Sequence, residues 1–284
     1  MTQVLIPTSL PELWSALREQ PSAHLYAGGT DLLVKRRAGL LDPAILIHLG
    51  RIDALRGVTA DDDGLRLGAG CTHRELLEDA QVRAVLPVLT QALQTLGSPP
   101  IRAMGTLGGN LCTASPAGDT LPPLYVLDAE VELWSAGGER RLLLRDFILG
   151  PGRTALQSGE ILAAVRVRRA PHGSVQHFEK VGLRNALACS LVSLAALVQT
   201  NPAGRVKHAA FAWGSVGPTV IRVPEVERHL IGQPLSLSVL SEAAVLARRA
   251  VAPIDDLRAD ADYRRQVAGN LLLRLAETGS APER

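Results

Sequence analysis

Two glycine-rich segments limit the folds open to this chain more than any other feature: Gly28-Gly29-Thr30-Asp31, and later Gly105-Thr106-Leu107-Gly108-Gly109-Asn110. Paired glycines carry no Cβ and accept positive φ, so consecutive backbone N–H groups can turn toward one anion. The hydroxyls of Thr30, Thr106 and Thr113 and the amide of Asn110 add donors beside them. Neither segment runs into Gly-Lys-Ser/Thr and no Gly-x-Gly-x-x-Gly occurs, which excludes the P-loop and the Rossmann dinucleotide fingerprint. One Gly-Gly is usually a tight turn. Two in one domain, each beside a threonine, point to anion binding, with a pair of plain turns as the alternative.

Around these segments the chain reads as mixed helix and strand. Ser9 and Glu12 stand at capping-box spacing ahead of Leu13, Trp14 and Leu17. Thr72 and Glu75 repeat that spacing before helical sequence running to about Leu96, with Pro87 opening a new segment. Residues 22–26 and 44–49 read as strands, and 55–59 with 65–69 as a hairpin about Asp61-Asp62-Asp63-Gly64. Residues 130–134 and 141–144 form another hairpin, and 161–167 a further strand. Residues 97–123 are rich in glycine and proline and read as one long loop, a length that is uncommon unless the loop is functional. A polar break at 169–174 marks a domain boundary, giving domains 1–170 and 175–284. Beyond it come strands at 190–198 and 208–213, then helices at 224–230, 238–250 and 262–278, the last stopped by Gly279. Strands first and helices after is an α+β order.

Composition removes whole classes of function. The 284 residues, one large or two ordinary domains, carry 30 Lys+Arg against 28 Asp+Glu; a net charge of +2 is too small for a general nucleic-acid binder. The longest apolar run, 191–198, is far short of a membrane span, and no basic segment precedes a hydrophobic stretch at the start, so a cytoplasmic chain is expected. Three cysteines, with no Cys-x-x-Cys, give neither a disulfide framework nor the four ligands of an iron–sulfur cluster. The seven histidines show no metal-ligating spacing, so no metal site is expected. Any redox chemistry must therefore come from an organic cofactor or a partner.

Two further residues are candidates. Ser115-Pro116-Ala117-Gly118-Asp119 is a rigid turn presenting a carboxylate, suited to ribose or ribityl hydroxyls or, alternatively, to a helix cap. Lys180, one of only three lysines, follows Phe178-Glu179 in a strand. It suits a pyrophosphate or the pyrimidine edge of a flavin, or else an exposed salt bridge to Glu179 or a neighbour.

Taken together, Tyr26-Ala27-Gly28-Gly29-Thr30-Asp31-Leu32-Leu33, Gly97-Ser98-Pro99, Ile101-Arg102, Gly105 to Leu111 and Thr113 to Asp119 resemble the FAD-binding medium subunit of molybdenum hydroxylases. That family includes xanthine dehydrogenase and carbon monoxide dehydrogenase, and the chain looks closer to the bacterial xanthine dehydrogenase type. The resemblance implies a vanillyl-alcohol-oxidase (PCMH) type FAD-binding domain of two α+β subdomains, then a smaller C-terminal α+β domain with a three-stranded sheet. It implies that Tyr26, Ala27, Gly28, Gly29, Thr30, Asp31 and Leu32, with Thr106, Gly108, Gly109 and Asn110, hold the FAD pyrophosphate. Thr113, Gly118 and Asp119 would continue the flavin and ribityl contacts, Leu162 would lie against the adenine or its strand, and Lys180 would reach the flavin from the C-terminal domain. Pro100 and Ala103-Met104 depart from the more polar residues usual there.

The implied role is electron transfer, with no catalytic acid or base in this chain. Electrons would pass from 2Fe–2S clusters on a small partner subunit, fed by molybdopterin on a large one, through FAD to NAD or another acceptor. A self-sufficient flavin oxidoreductase of the same fold is the alternative; it needs its own acid or base, for which His73, His177 and Tyr263 are the candidates. A phosphate- or sugar-nucleotide-binding module without a redox cofactor is a third.

Overall fold

The computed structural model describes residues 2–278. The chain divides into two compact units. The first takes the chain up to Arg83, then Ser98–Ala114 and Asp128–Arg168; the second takes Ala84–Gly97, Ser115–Leu127 and the chain from Arg169 on.

In the first unit, β1 (Gln3–Leu5), β2 (His24–Tyr26) and β3 (Ile45–His48) make a parallel sheet in the order β1-β3-β2. Helix Leu10–Glu19 joins β1 to β2 and buries Leu13 against Ile47, Ile52, Leu55 and Ile161. Ser9 caps it, accepting from the Glu12 N–H at 3.4 Å, but the Glu12 carboxylate turns back one residue further, to the Thr8 N–H at 2.8 Å. The Thr72–Glu75 box closes reciprocally, at 3.1 and 2.7 Å.

The hairpin β4 (Val58–Ala60) and β5 (Gly64–Gly68) turns on Asp61, whose carboxylate accepts from the Gly64 N–H at 2.8 Å. A second hairpin pairs β6 (Glu130–Ser135) with β7 (Gly138–Leu143), and β8 (Ile148–Gly150) pairs with β9 (Arg153–Thr154). The long strand β10 (Ile161–Arg168) runs antiparallel between the two hairpins, giving the order β4-β5-β10-β6-β7.

The stretch 97–123, expected as one loop, instead winds into three short helices: Pro99–Met104, Leu107–Thr113 and Leu121–Val126. Its composition hides good helix starts. Ser98 and Thr106 cap the first two, and prolines open the first and third, where a missing N–H costs nothing.

In the second unit β11 (Val175–Val181), β12 (Val192–Thr200), β13 (Val206–Gly214) and β14 (Ile221–Arg222) form an antiparallel sheet in chain order. The two-residue β14 adds a fourth strand to the three implied by the resemblance. β12 is buried along both faces because it is apolar at successive positions. Val192, Leu194 and Ala196 pack with Phe211, Trp213, Leu240 and Leu271 against helices Leu237–Ala250 and Ala261–Leu273. Side chains alternate along a strand, so Ser193, Ala195 and Leu197 face the other way, and helices Pro87–Thr95 and Leu121–Val126 pack on the sheet as well. Trp213 is wholly buried and its indole N–H donates to Ala268 O at 3.0 Å; truncating it costs about 3–5 kcal/mol. The helix expected over 262–278 is Ala261–Leu273 followed by the turn Leu275–Thr278; the stop assigned to Gly279 lies outside the described residues. No helix among the described residues is long and apolar enough to cross a membrane.

Candidate cofactor-binding site

β2 delivers the chain to Ala27, where it leaves the parallel sheet, and Gly29 follows in the left-handed region with φ +69°. The two glycine loops touch. A Cβ on Gly28 would lie 1.8 Å from the Met104 carbonyl oxygen, and one on Gly105 would lie 3.3 Å from the Thr30 hydroxyl. Only a residue without a side chain lets the first backbone lie on the second. Among the described residues, no N–H from Ala27 through Asp31 donates to an acceptor in the chain. The Asp31 carboxylate is turned aside, onto Lys35 at 2.7 Å and within 3.4 Å of the Thr113 hydroxyl, so it does not fill that row of donors.

The second loop differs. Its N–H groups are taken within the chain: Leu107 donates to Cys71 O at 2.9 Å, Gly108 to Ala69 O at 2.8 Å and Gly109 to the Thr106 hydroxyl at 3.1 Å. A Cβ on Gly108 would meet the Ala69 Cβ at 2.7 Å, so this glycine lets the helix lie on residue 69. A Cβ on Gly109 would meet only the Thr106 hydroxyl, at 3.0 Å, and Gly109 is exposed. Thr113 donates back to Gly109 O at 2.9 Å.

Between the loops lies a cavity of about 250 Å³. Six expected residues line it together: Tyr26, Ala27, Thr106, Gly108, Gly109 and, from β10, Leu162. Sequence reasoning missed Leu49, Ala69, Gly70, Cys112 and Leu156, which complete a mostly apolar wall. The Gly68-Ala69-Gly70 run at the end of β5 was the one available signal. Burial pushes the Cys112 thiol up to about 12, so it lines the cavity as a neutral group. His73 lies behind the second loop, its N–H bonded to Gly105 O at 2.9 Å. Burial, reinforced by the nearby Arg102 charge, pushes its pKa down to about 4.

Gly118, Asp119 and Lys180 belong to the second unit. Asp119 is 7% exposed and uses both oxygens within the chain, accepting from Lys180 Nζ at 2.5 Å and from the Ser190 hydroxyl at 2.7 Å. Burial pushes its carboxyl up against the opposing pull of Lys180 and Ser190. Lys180 also donates to Thr95 O at 3.3 Å and lines a cavity of about 280 Å³ with Arg184 and Asn185. It does not pair with Glu179, which is held by Arg274 at 2.9 Å.

Of the row Ala27 to Asp31 only Ala27 lines the cavity between the glycine loops, while Gly28 to Asp31 lie outside its lining; unpartnered N–H groups in sequence with a mostly apolar cavity fit a ligand that joins phosphate to flat apolar rings. Among the described residues no group of three or more metal-ligating side chains is placed to hold an ion. The family described as the FAD binding domain in molybdopterin dehydrogenase matches residues 1–169, and the CO dehydrogenase flavoprotein C-terminal domain matches residues 177–278. The chain is 31% identical over 259 residues to the xanthine dehydrogenase FAD-binding subunit of Escherichia coli O157:H7, covering 90% of this chain and 88% of that one. It is also 31% identical over 259 residues to the carbon monoxide dehydrogenase medium chain of Afipia carboxidovorans, covering 91% and 89%. Among solved structures it is similar to carbon monoxide dehydrogenase from Hydrogenophaga pseudoflava, at a TM-score of 0.93 and 28% identity over 99% of this chain and 98% of that one. Quinoline 2-oxidoreductase from Pseudomonas putida 86 gives a TM-score of 0.93 and 27% identity, covering 98% and 96%. With an α+β fold, a cradle of free amides and a family match over 169 of its 284 residues, the chain belongs to the FAD-binding medium subunits of the molybdenum hydroxylases, the flavin component of an oxidoreductase.

Proposed function

We propose that this chain is an electron-transfer subunit whose residues would hold FAD, a group that would supply the redox link between 2Fe–2S clusters on a small partner subunit and NAD or another acceptor. The observation that carries the reading is the row of free amides from Ala27 to Asp31, which starts at a residue lining the apolar cavity. These amides hold the pyrophosphate, with Tyr26 and Leu32 at the ends of the loop. Thr106, Gly108 and Gly109 shape the opposite wall, Asn110 and Thr113 extend it, and Leu162 supplies an apolar surface for the adenine. From the second unit, Gly118 forms the turn that presents Asp119. Asp119, with both oxygens occupied, holds Lys180, which has two N–H groups committed and one left for a flavin acceptor. Residues 1–170 serve as the FAD-binding domain and 175–284 as the C-terminal domain. A large partner subunit bearing molybdopterin oxidises the organic substrate, and the assembly works in the cytoplasm.

The protein supplies position and environment, while the cofactor supplies the redox chemistry. A self-sufficient oxidoreductase has less support. His73, one candidate base, is neutral throughout the physiological range and 3% exposed, and Tyr263 is 45% exposed. The test uses the purified full-length chain: FAD titrated to one equivalent, the visible flavin spectrum, and NADH-dependent dye reduction against oxidation of organic substrates. Stoichiometric flavin and substrate oxidation only in the assembled complex are expected. A chain that stays colourless with excess FAD refutes the reading, and substrate oxidation by the chain alone establishes the alternative.

A further inference from the structure

Strands β2 and β3 put Tyr26 opposite His48, in the register that also pairs Leu25 with Ile47. Ile47 is wholly buried and Leu25 packs against the same core, so by alternation Tyr26 and His48 share the other face of the sheet. Their rings meet there, with centroids 4.9 Å apart and planes inclined at 38°. Each ring also covers a glycine. A Cβ on Gly50 would lie 2.7 Å from His48 Nε2 and 2.8 Å from its Cε1, so the imidazole stands where a side chain at 50 would be. A Cβ on Gly29 would lie 3.6 Å from Tyr26 Cδ2, an ordinary packing distance. Gly29, at φ +69°, is the left-handed residue within the row of free amides, and Tyr26 lines the apolar cavity. The contacts therefore run unbroken from Gly50 through His48 and Tyr26 to the first glycine loop, all inside the first unit. His48 itself is not among the residues lining the cavity.

We propose that His48 is a positioning residue for the cofactor site: its ring fixes the Tyr26 ring, which holds the turn at Gly29 and one wall of the cavity ready for the ligand. Gly50 is glycine so that the imidazole can stand over it. This role rests on the FAD reading proposed above. A tyrosine ring has few rotamers, but a half-buried one keeps a single rotamer only where a neighbour blocks the rest. Released from His48, Tyr26 regains conformations that ligand binding must then remove, and that ordering cost appears as lost affinity. His48 acts through Tyr26, so its effect vanishes once the Tyr26 ring is gone.

The test titrates FAD into the purified full-length chain, followed by flavin fluorescence. The variants are His48→Ala, His48→Phe, Gly50→Ala and Tyr26→Ala, with the doubles His48→Ala/Tyr26→Ala and His48→Ala/Gly50→Ala. His48→Ala should weaken FAD binding about threefold to tenfold, the worth of an aromatic pair. His48→Phe restores a flat ring and should bind as the wild type does. Gly50→Ala should match His48→Ala, because its methyl displaces the imidazole, and should add nothing in the His48→Ala background. Adding His48→Ala to Tyr26→Ala should cost nothing further, whereas a general structural lesion adds its own loss. Wild-type affinity in His48→Ala, failure of His48→Phe to restore it, or additive losses in the His48→Ala/Tyr26→Ala double each overturn the role of His48 while leaving FAD binding intact. A wild-type chain that never takes FAD refutes the cofactor reading itself, and this role with it.

Discussion

Gly28 and Gly109 look alike in the sequence, but the structure gives them opposite reasons to be glycine. At Gly28 a methyl group would sit 1.8 Å from a backbone oxygen, less than any real Cβ contact, and the neighbour is main chain that cannot rotate away. Gly28→Ala must therefore push the two loops apart, an overpacking lesion of about 1–3 kcal/mol in stability. At Gly109 the methyl meets only the Thr106 hydroxyl at 3.0 Å, and the residue lies inside a helix, where alanine is preferred by about 1 kcal/mol. Gly109→Ala should leave the melting temperature of the FAD-free chain unchanged or higher. It fills a wall of the cavity, however, so FAD affinity should fall by about 1–3 kcal/mol, roughly fivefold to 150-fold. Thermal melts of the FAD-free proteins, paired with FAD titrations followed by flavin fluorescence, separate the two effects. An unchanged FAD affinity in Gly109→Ala would place the cofactor elsewhere; an unchanged melting temperature in Gly28→Ala would mean that the loops do not pack as described.

Three further outcomes are expected. His73 has a folded pKa of about 4 against an ordinary 6.5, so the unfolded chain binds the proton first as pH falls. Its contribution to stability is complete above pH 6.5 and is lost toward pH 4, by at most about 3 kcal/mol, and His73→Gln should flatten that part of the urea-derived stability profile. Asp119→Ala strips a buried lysine of its counter-ion and should cost about 3–5 kcal/mol; adding Lys180→Met should recover part of it, and strictly additive losses in the double-mutant cycle would deny the pairing. Iodoacetamide at mild alkaline pH should modify exposed Cys189 well before Cys71 or Cys112, whose thiols burial pushes up, as read by peptide mass spectrometry; early Cys112 labelling would show an environment other than the one described.

Features set by short-range chemistry were legible without coordinates. Thr72 and Glu75 close their box as spaced, and both hairpins form, the first about the turn read at Asp61–Gly64 and the second about Ala136-Gly137. The contact between the glycine loops is a different matter. It joins residues far apart in the chain, and no local pattern reports that Gly28 faces Met104 rather than a ligand. The helices within 97–123 were hidden because glycine and proline read as breakers, although serine and threonine caps and N-terminal prolines start helices well. The free amides of the first loop and the occupied amides of the second are equally invisible in sequence, because both are Gly-Gly beside threonine. Asp119 and Lys180 were each picked out, yet not as partners, since 61 positions separate them.

The sheet of β11 to β14 has consequences for anyone cutting the gene. A fragment starting at Val175 would carry all four strands but neither Pro87–Thr95 nor Leu121–Val126, and the Gln91 amide that donates to Gln176 O would be missing with them. Ala195 and Leu197 would then be stripped of cover on that side, inviting aggregation. During synthesis, too, the earlier helices must wait for strands made long after them, so late chain growth rather than early collapse governs when this half becomes protease-resistant.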